Sequence, residues 1–224
     1  MVSIIVPVYN IVGMRSFKAT IKSILAQSYC DFELLLVNDG STDASADILS
    51  NIAEKDSRIK IITKENGGVE SARRAGICAA KGEFIFHMDQ DDLLSGDAIE
   101  KLQRAAEENQ ADIGVGTNVH FFALKRIAKY PKDGEERVLS HAEFMEKYYH
   151  GFFGKSLFPV SIWNKLYRKS FLNSIEEPPR TGLYNEDFNY NIHILPEANK
   201  IVWIPDVTYY YRWGGFTCKK IKGI

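Results

Sequence analysis

Phe84-Ile85-Phe86-His87-Met88-Asp89-Gln90-Asp91-Asp92 decides how this chain is read. An apolar run with the character of a buried strand ends abruptly in three carboxylates within four residues. Unpaired burial of such charge costs several kcal/mol per ion, so something positive is expected to meet it. Carboxylate oxygens suit hard cations, and Mg2+ usually takes one or two carboxylates together with the phosphates of a substrate. The stretch therefore has two readings, a metal–diphosphate site or a loop whose acids cap the next helix. Asp-x-Asp alone does not separate them.

Working outward, the first half alternates short apolar runs with helical spacing. Strands are expected over 3–8, 32–37, 59–62, 84–88 and 112–119. Phe17, Ile21, Ile24 and Leu25 mark one helix, and Ile48, Leu49 and Ile52 a second with N-caps in Ser41-Thr42-Asp43. A third is expected over 69–80, ended by Gly82, and a fourth, capped by Ser95, carries Ile99, Leu102 and Ala106. This order implies α/β architecture with a Rossmann-like, mostly parallel sheet covered by helices on both faces. Ligands of such sheets sit beyond the carboxyl ends of the strands, where the polar clusters of this chain fall. The second half is less regular. Residues 121–137 read as containing a long loop, Ser140 with Glu143 as a capping box, and 148–167 as a dense aromatic stretch. The chain is expected to be one domain, with 1–120 binding one substrate and 121–224 serving the other. Lys219-Lys220-Ile221-Lys222 offers no clear final element, as in a chain lacking a C-terminal extension.

Of 224 residues, 28 are Lys or Arg and 29 are Asp or Glu, a balance that argues against a general electrostatic nucleic-acid binder. The three cysteines lie far apart without C-x-x-C spacing, which suggests neither a disulfide framework nor a zinc site and fits a reduced, cytoplasmic setting. Met1 leads straight into a strand without a basic leader, and no apolar run reaches the ~20 residues that span a bilayer.

Four clusters combine: Val6-Pro7-Val8-Tyr9-Asn10, Asn38-Asp39-Gly40-Ser41-Thr42-Asp43, Asn66-Gly67-Gly68 with Arg73, and Asp89-Gln90-Asp91-Asp92. In this order and spacing they resemble the inverting glycosyltransferases of family 2, which have the GT-A fold. The resemblance covers roughly residues 1–120. Asn38 and Arg74 depart from it, standing where the family usually has Asp and Asn, and leave open which of Arg73 and Arg74 points inward.

The resemblance implies a nucleotide-sugar donor, with a UDP-sugar expected, and places Pro7, Tyr9, Asp39, Asn66, Gly68, Arg73 and Asp89 around it. Tyr9 can lie against the base, since aromatic faces stack on bases, or pack on the core. Asp39 can accept from a base N–H, form the turn before Gly40, or do both. Gly67-Gly68 allows close backbone approach to a ligand or simply turns the chain. Arg73 can pair with the diphosphate or with Asp89. The resemblance makes Asp91 the main ligand of a divalent metal, Mn2+ or Mg2+, with Asp89 beside it on the ribose side, and Asp92 a cap or an orienting group. His87 reads as a strand residue satisfied by its neighbours.

An inverting transferase needs a base for the acceptor hydroxyl. Gly182-Leu183-Tyr184-Asn185-Glu186-Asp187-Phe188 resembles the family's Glu-Asp motif, which makes Asp187 the base and Glu186 its neighbour. Asn185 stands where the family often has Gly. Alone, these acids would merely favour a helix N-terminus. Ser161-Ile162-Trp163-Asn164-Lys165-Leu166-Tyr167-Arg168 and Tyr209-Tyr210-Tyr211-Arg212 resemble segments of bacterial members. They offer Trp163 and Lys165 as acceptor-side candidates, although a large aromatic is more often core.

The expected function is metal-assisted transfer of a sugar to a hydroxyl acceptor with inversion, in cell-surface polysaccharide synthesis, the acceptor being a saccharide or lipid-linked saccharide. A nucleotidyltransferase would show a glycine- and basic-rich loop after strand one, where Tyr9-Asn10-Ile11-Val12-Gly13 stands instead. A non-catalytic nucleotide-sugar-binding module would not need Asp187. The basic, apolar 121–129 segment and the residues from Phe216 onward read either as peripheral membrane contacts on the inner face or as an edge strand with a solvated loop.

Overall fold

The computed structural model describes residues 1–122, 125–129, 134–153, 158–179 and 185–212. The strands are β1 (Val2–Val8), β2 (Phe32–Asp39), β3 (Ile59–Lys64), β4 (Phe84–His87), β5 (Leu93–Leu94), β6 (Ile113–Phe122), β7 (Lys125–Lys129), β8 (Arg137–Ser140), β9 (Lys165–Arg168) and β10 (Lys200–Arg212). The helices are α1 (Arg15–Leu25), α2 (Ser45–Ala53), α3 (Gly68–Ala79), α4 (Ala98–Glu108), α5 (His141–Lys147), α6 (Lys169–Ser174) and α7 (Glu186–Ile194). The ten strands described belong to one sheet system ordered β3-β2-β1-β4-β9-β6-β10-β5, with β7 on β6 and β8 on β10.

The first four strands form a parallel block in which β1 pairs β2 on one side and β4 on the other. The chain grows outward from β1 to β3, then returns across it to lay down β4. That reversal opens a crevice beyond the carboxyl ends of β1 and β4. β9 then runs antiparallel between β4 and β6, and β10 lies parallel to β6. β1 is buried on both faces: Ile4 and Val6 enter one apolar cluster with Phe17, Ile24 and Leu102, while Ile5 enters the other with Ala72, Ile85 and Trp203. Near-continuous apolar strands follow from that two-sided burial. Gly76 lets α3 lie directly on β1, since a Cβ there would collide with Ile5.

Three local expectations need correction. The strand expected to end at 119 runs on, because β6 continues to Phe122 and pairs antiparallel with β7. Ser95 does not cap α4. The helix begins three residues later, and Gln27 Oε1, from the end of α1, accepts the Ile99 N–H at 3.0 Å. The apolar run before the acids yields strand only to His87, and β5, too short for any periodicity, follows them. The capping box at Ser140 and Glu143 is present in full. Among the described residues no helix is long and apolar enough to cross a membrane.

Candidate active site

Segments after β1, β2 and β4 and the start of α3 converge on a cleft of about 410 Å3 lined by Pro7, Tyr9, Asp39, Asn66, Gly68, Arg73, Asp89, Asp91 and Glu186. That volume lies in the range of small-molecule sites. The loops are tied to one another. Asn10, at φ 49°, accepts the Thr42 N–H at 2.9 Å, and its own N–H donates to Ser41 Oγ. Asp43 accepts the N–H groups of Val12 and Ser45, each at 3.0 Å, so it joins two loops as well as starting α2.

Asp39 is buried at the cleft floor. Its carboxylate accepts from Lys64 Nζ at 2.7 Å and from the N–H groups of Gly67 at 3.0 Å and Gly68 at 2.8 Å. It thus fastens the N-terminus of α3 to the end of β2. A carboxylate has about four lone-pair sites, so these three donors among the described residues leave one acceptor position over. Gly40 is required where it stands: its φ is +65°, and a Cβ would meet Asn66 N at 2.5 Å. Asn66 in turn donates to the Asp39 carbonyl at 2.8 Å.

Arg73 is the hub. Only 6% exposed, it donates through Nη2 to Asp89 Oδ1 and through Nη1 to Asp187 Oδ1, both at 3.0 Å, and lies 3.9 Å from Glu186 Oε1. Arg74 turns away to Glu177 and the Pro178 carbonyl. Burial pulls the Arg73 pKa down, but Asp187, Asp89 and Glu186 together carry it above the usual arginine value. Asp89 is pushed up to about 6, by desolvation first and by Asp187 and Asp91 next, against the pull of Arg73. Its side chain keeps 31% exposure at the cleft, and water there tempers that push. Glu186 is raised by burial and then by Asp187.

The acidic turn is held from behind by β10. Tyr209 Oη donates to Asp92 Oδ2 at 2.7 Å and accepts the Asp89 N–H at 3.2 Å, while Asp92 Oδ1 accepts the Arg212 N–H. Asp92 is buried, and desolvation followed by Asp89 raises its pKa well above the ordinary carboxylate value. Asp92 is therefore an orienting group, and it lies too deep to line the cleft. Gln90 exchanges hydrogen bonds with the Tyr9 backbone, accepting its N–H at 2.9 Å and donating to its carbonyl. The roles of Gln90, Lys64 and Tyr209 were not read from the sequence, because each depends on a partner 25 to 120 residues away.

The base motif falls partly outside the described residues, at 182–184. Asn185 is described and has φ 80°, the left-handed region that explains why Gly is usual there. Glu186 and Asp187 open α7 and face Arg73. Trp163 and Lys165, the acceptor-side candidates, are both buried. Trp163 is 8% exposed and stacks on Tyr209 and Tyr211, with centroids at 4.6 and 5.1 Å, so packing within the protein occupies the ring. Lys165 is fully buried and donates to the carbonyls of Pro159, at 3.0 Å, and Ser161. His87 is buried with Tyr167 and Tyr190 edge-on, and neither ring nitrogen has a hydrogen-bond partner among the described residues, contrary to the expected satisfied strand residue. Desolvation first, then Arg73, lowers its pKa to about 3, which keeps it neutral.

Among the described residues no group of three or more His, Cys, Asp or Glu is disposed to hold a metal ion. The donor set of Asp91 and Asp89 at the cleft fits a hard cation that takes one or two carboxylates and completes its shell with substrate phosphate and water.

The family described as "Glycosyl transferase family 2" matches residues 3–175. The uncharacterized glycosyltransferase EpsJ of Bacillus subtilis is 35% identical over 95% of this chain and 61% of its own length. The glycosyltransferase GlyA of Streptococcus pneumoniae is 32% identical over 94% of this chain and 30% of its own. The chain thus spans 61% of the first relative's length and 30% of the second's. Residues 1–349 of S. aureus TarS superpose with a TM-score of 0.73 at 21% identity, covering 94% of this chain and 60% of that one, and structures of it with UDP and with UDP-GlcNAc are among the matches. The likeness shows the expected α/β fold, the GT-A arrangement of a large, mostly parallel sheet.

Proposed function

The chain belongs to glycosyl transferase family 2, and from that premise we propose that it moves a sugar from a UDP-sugar to a hydroxyl acceptor with inversion at the anomeric carbon. One observation carries the reading. A single buried guanidinium joins Asp89, in the cleft beyond β4, to Asp187, at the start of α7. The donor-side acid and the candidate base are thereby held within one residue's reach.

In this reading Tyr9 lies against the uracil and the remaining acceptor position of Asp39 takes its imide N–H. Asp89 faces the ribose. Arg73 stays between the negative charges and moderates their repulsion. Asp187 accepts the proton of the acceptor hydroxyl as its oxygen bonds to the anomeric carbon and the bond to the diphosphate breaks. Asp91, with Asp89 beside it, would hold the Mn2+ or Mg2+, which when bound supplies positive charge to the diphosphate leaving group. Binding of UDP and UDP-GlcNAc by the TarS fold neighbour supports the choice of nucleotide. The proposal extends to a saccharide acceptor, free or lipid-linked, in surface polysaccharide assembly on the cytoplasmic side; the glycosyltransferase relatives support sugar transfer itself.

A panel of nucleotide-sugars, each with Mn2+, tests the proposal by thermal shift and by release of nucleoside diphosphate. A UDP-sugar should raise Tm and be turned over. A panel in which none stabilises the protein, or in which only nucleoside triphosphates do, would remove the donor assignment.

A further inference from the structure

Three consecutive carbonyls, those of Pro159, Val160 and Ser161, are each taken by a side chain from another element. Lys165 Nζ, on β9, accepts none and donates to two of them, Pro159 O at 3.0 Å and Ser161 O. Asn191 Nδ2, on α7, donates to the middle one at 2.8 Å and also, at 2.8 Å, to the carbonyl of Asp187 one turn earlier on its own helix. The strip 158–164 has no regular structure of its own. Two buried side chains therefore fix it from two sides, one rooted in the sheet and one in the helix that carries the acids.

Neither side chain is where stability alone would put it. Lys165 is fully buried in the middle of the sheet, opposite Val115 of β6, with no carboxylate in salt-bridge distance among the described residues. Its other neighbour is the ring of Phe158, 6.0 Å from Nζ. Asn191 is also fully buried, and its Oδ1 has no partner among the described residues. The amide cannot be turned over to improve matters, because both groups facing Nδ2 are carbonyls and can only accept. A buried acceptor left unpaired is a cost that an apolar side chain of the same shape would avoid. What the two residues do achieve is mechanical. They form a continuous line from β9 through 159–161 to the first turn of α7, where Asp187 meets Arg73.

We infer that Lys165 and Asn191 are positioning residues for Asp187, acting together through the carbonyls of 159–161. The segment containing Lys165 thus serves the reaction from beneath the base. A charged or a neutral amine alike has at least two N–H bonds to donate, so the clasp holds in both states. The inference rests on the reading of Asp187 as the base. Misplacing a reacting group by about 1 Å can cost about 100-fold in rate, so a slackened first turn of α7 should show in turnover and leave donor binding in the cleft intact.

The test uses Asn191→Leu, Lys165→Met and their combination, with Asp187→Asn as reference. Turnover is the hydrolysis of whichever UDP-sugar gives the largest thermal shift, counted per UDP-binding site by calorimetry with Mn2+. Expected are a loss of kcat of about 10- to 100-fold in each single variant with donor KM changed less than threefold, and a double variant no worse than the weaker single one. Lost packing alone would lower Tm and the number of binding sites while leaving turnover per site unchanged, and that result in Asn191→Leu would overturn the inference. Should Lys165→Met fail to fold, Asn191→Leu decides by itself, since it also removes an unpaired buried acceptor. Normal turnover in Asp187→Asn would overturn the base assignment first and this inference with it. Loss in Asp187→Asn beside normal turnover per site in Asn191→Leu would sink the inference alone.

Discussion

The parallel block from β1 to β4 and the segment from 158 to 212 both end at Arg73, but they reach it by different means. In the block, each functional group follows a strand within a few residues: Tyr9 after β1, Asp39 at the end of β2, Asp89 just past β4. The backbone that builds the sheet delivers the side chain to the cleft. In the later segment the groups are delivered by other side chains. Tyr209 reaches back to Asp92, Asn191 ties α7 to Val160, and Lys165 ties Val160's neighbours to β9. Chemistry placed by strand ends should tolerate loss of one supporting contact. Chemistry placed by side-chain relays should not.

The largest expected effect separates the two regions cleanly. Asp187→Asn should lower turnover by about 100- to 10,000-fold, the range that general-base groups contribute. The thermal shift given by donor should persist, because the cleft beyond β1 and β4 is untouched. Loss of the donor shift as well would mean that Asp187 belongs to the donor cleft and that the division drawn above is wrong.

Arg73→Met acts on both regions at once. It leaves Asp89 and Asp187 facing each other without the cation between them. Removing one partner of a buried ion pair costs about 3–5 kcal/mol. Here the remaining acids keep 31% and 24% exposure, so screening by water should bring the loss nearer 1–3 kcal/mol in urea unfolding. Both donor binding and turnover should fall. A variant that lost turnover alone would place Arg73 with the relays and not between the regions.

Tyr209→Phe probes a relay that supports the parallel block from outside. It deletes a donor to buried Asp92 and an acceptor for the Asp89 N–H. The expected loss is about 1–2 kcal/mol, or a Tm lower by about 2–8 °C at roughly 2–4 °C per kcal/mol. Donor KM should rise only a few-fold if the strand end itself places Asp89. A large rise would show that the acidic turn is also a relay-built feature.

That contrast also explains what could be read from the sequence. The strand-and-helix order of 1–120, the cleft segments and the capping box at Ser140 are contiguous patterns, and the structure has them. Antiparallel β9 between β4 and β6 carried no comparable signal, since four residues leave no period to count. Lys165 was legible as unusual but not as buried, and for Trp163 core packing stood beside a sugar-side role. An aromatic and a cation in sequence suggest a sugar platform. Only the approach of Tyr209, Tyr211 and the carbonyls of 159 and 161 shows that their partners lie inside the protein. Gln27 capping α4 is the same lesson in miniature: the cap comes from just past the end of α1, seventy-two residues before Ile99.

The smallest effect concerns the interior end of the relay. Desolvation lowers the Lys165 pKa to about 7, with the charge of Asp187 pulling the other way, against an ordinary value of 10.5. Between those two values the unfolded chain binds a proton that the folded chain does not, so this group makes stability rise with pH from about 7 toward 10.5 and sets a constant penalty below 7. The slope from one such group is at most about 1.4 kcal/mol per pH unit. Lys165→Met has no proton to lose there. The difference in unfolding free energy between wild type and Lys165→Met should therefore move in favour of wild type by about 1 kcal/mol between pH 8 and 9, with the contributions of the surface lysines cancelling in the subtraction. A flat difference over pH 7.5–9.5 would mean that the two carbonyls keep the ammonium charged in the interior. The clasp on 159–161 would then be held by charged hydrogen bonds, and the relay toward Asp187 would be stiffer than a neutral amine allows.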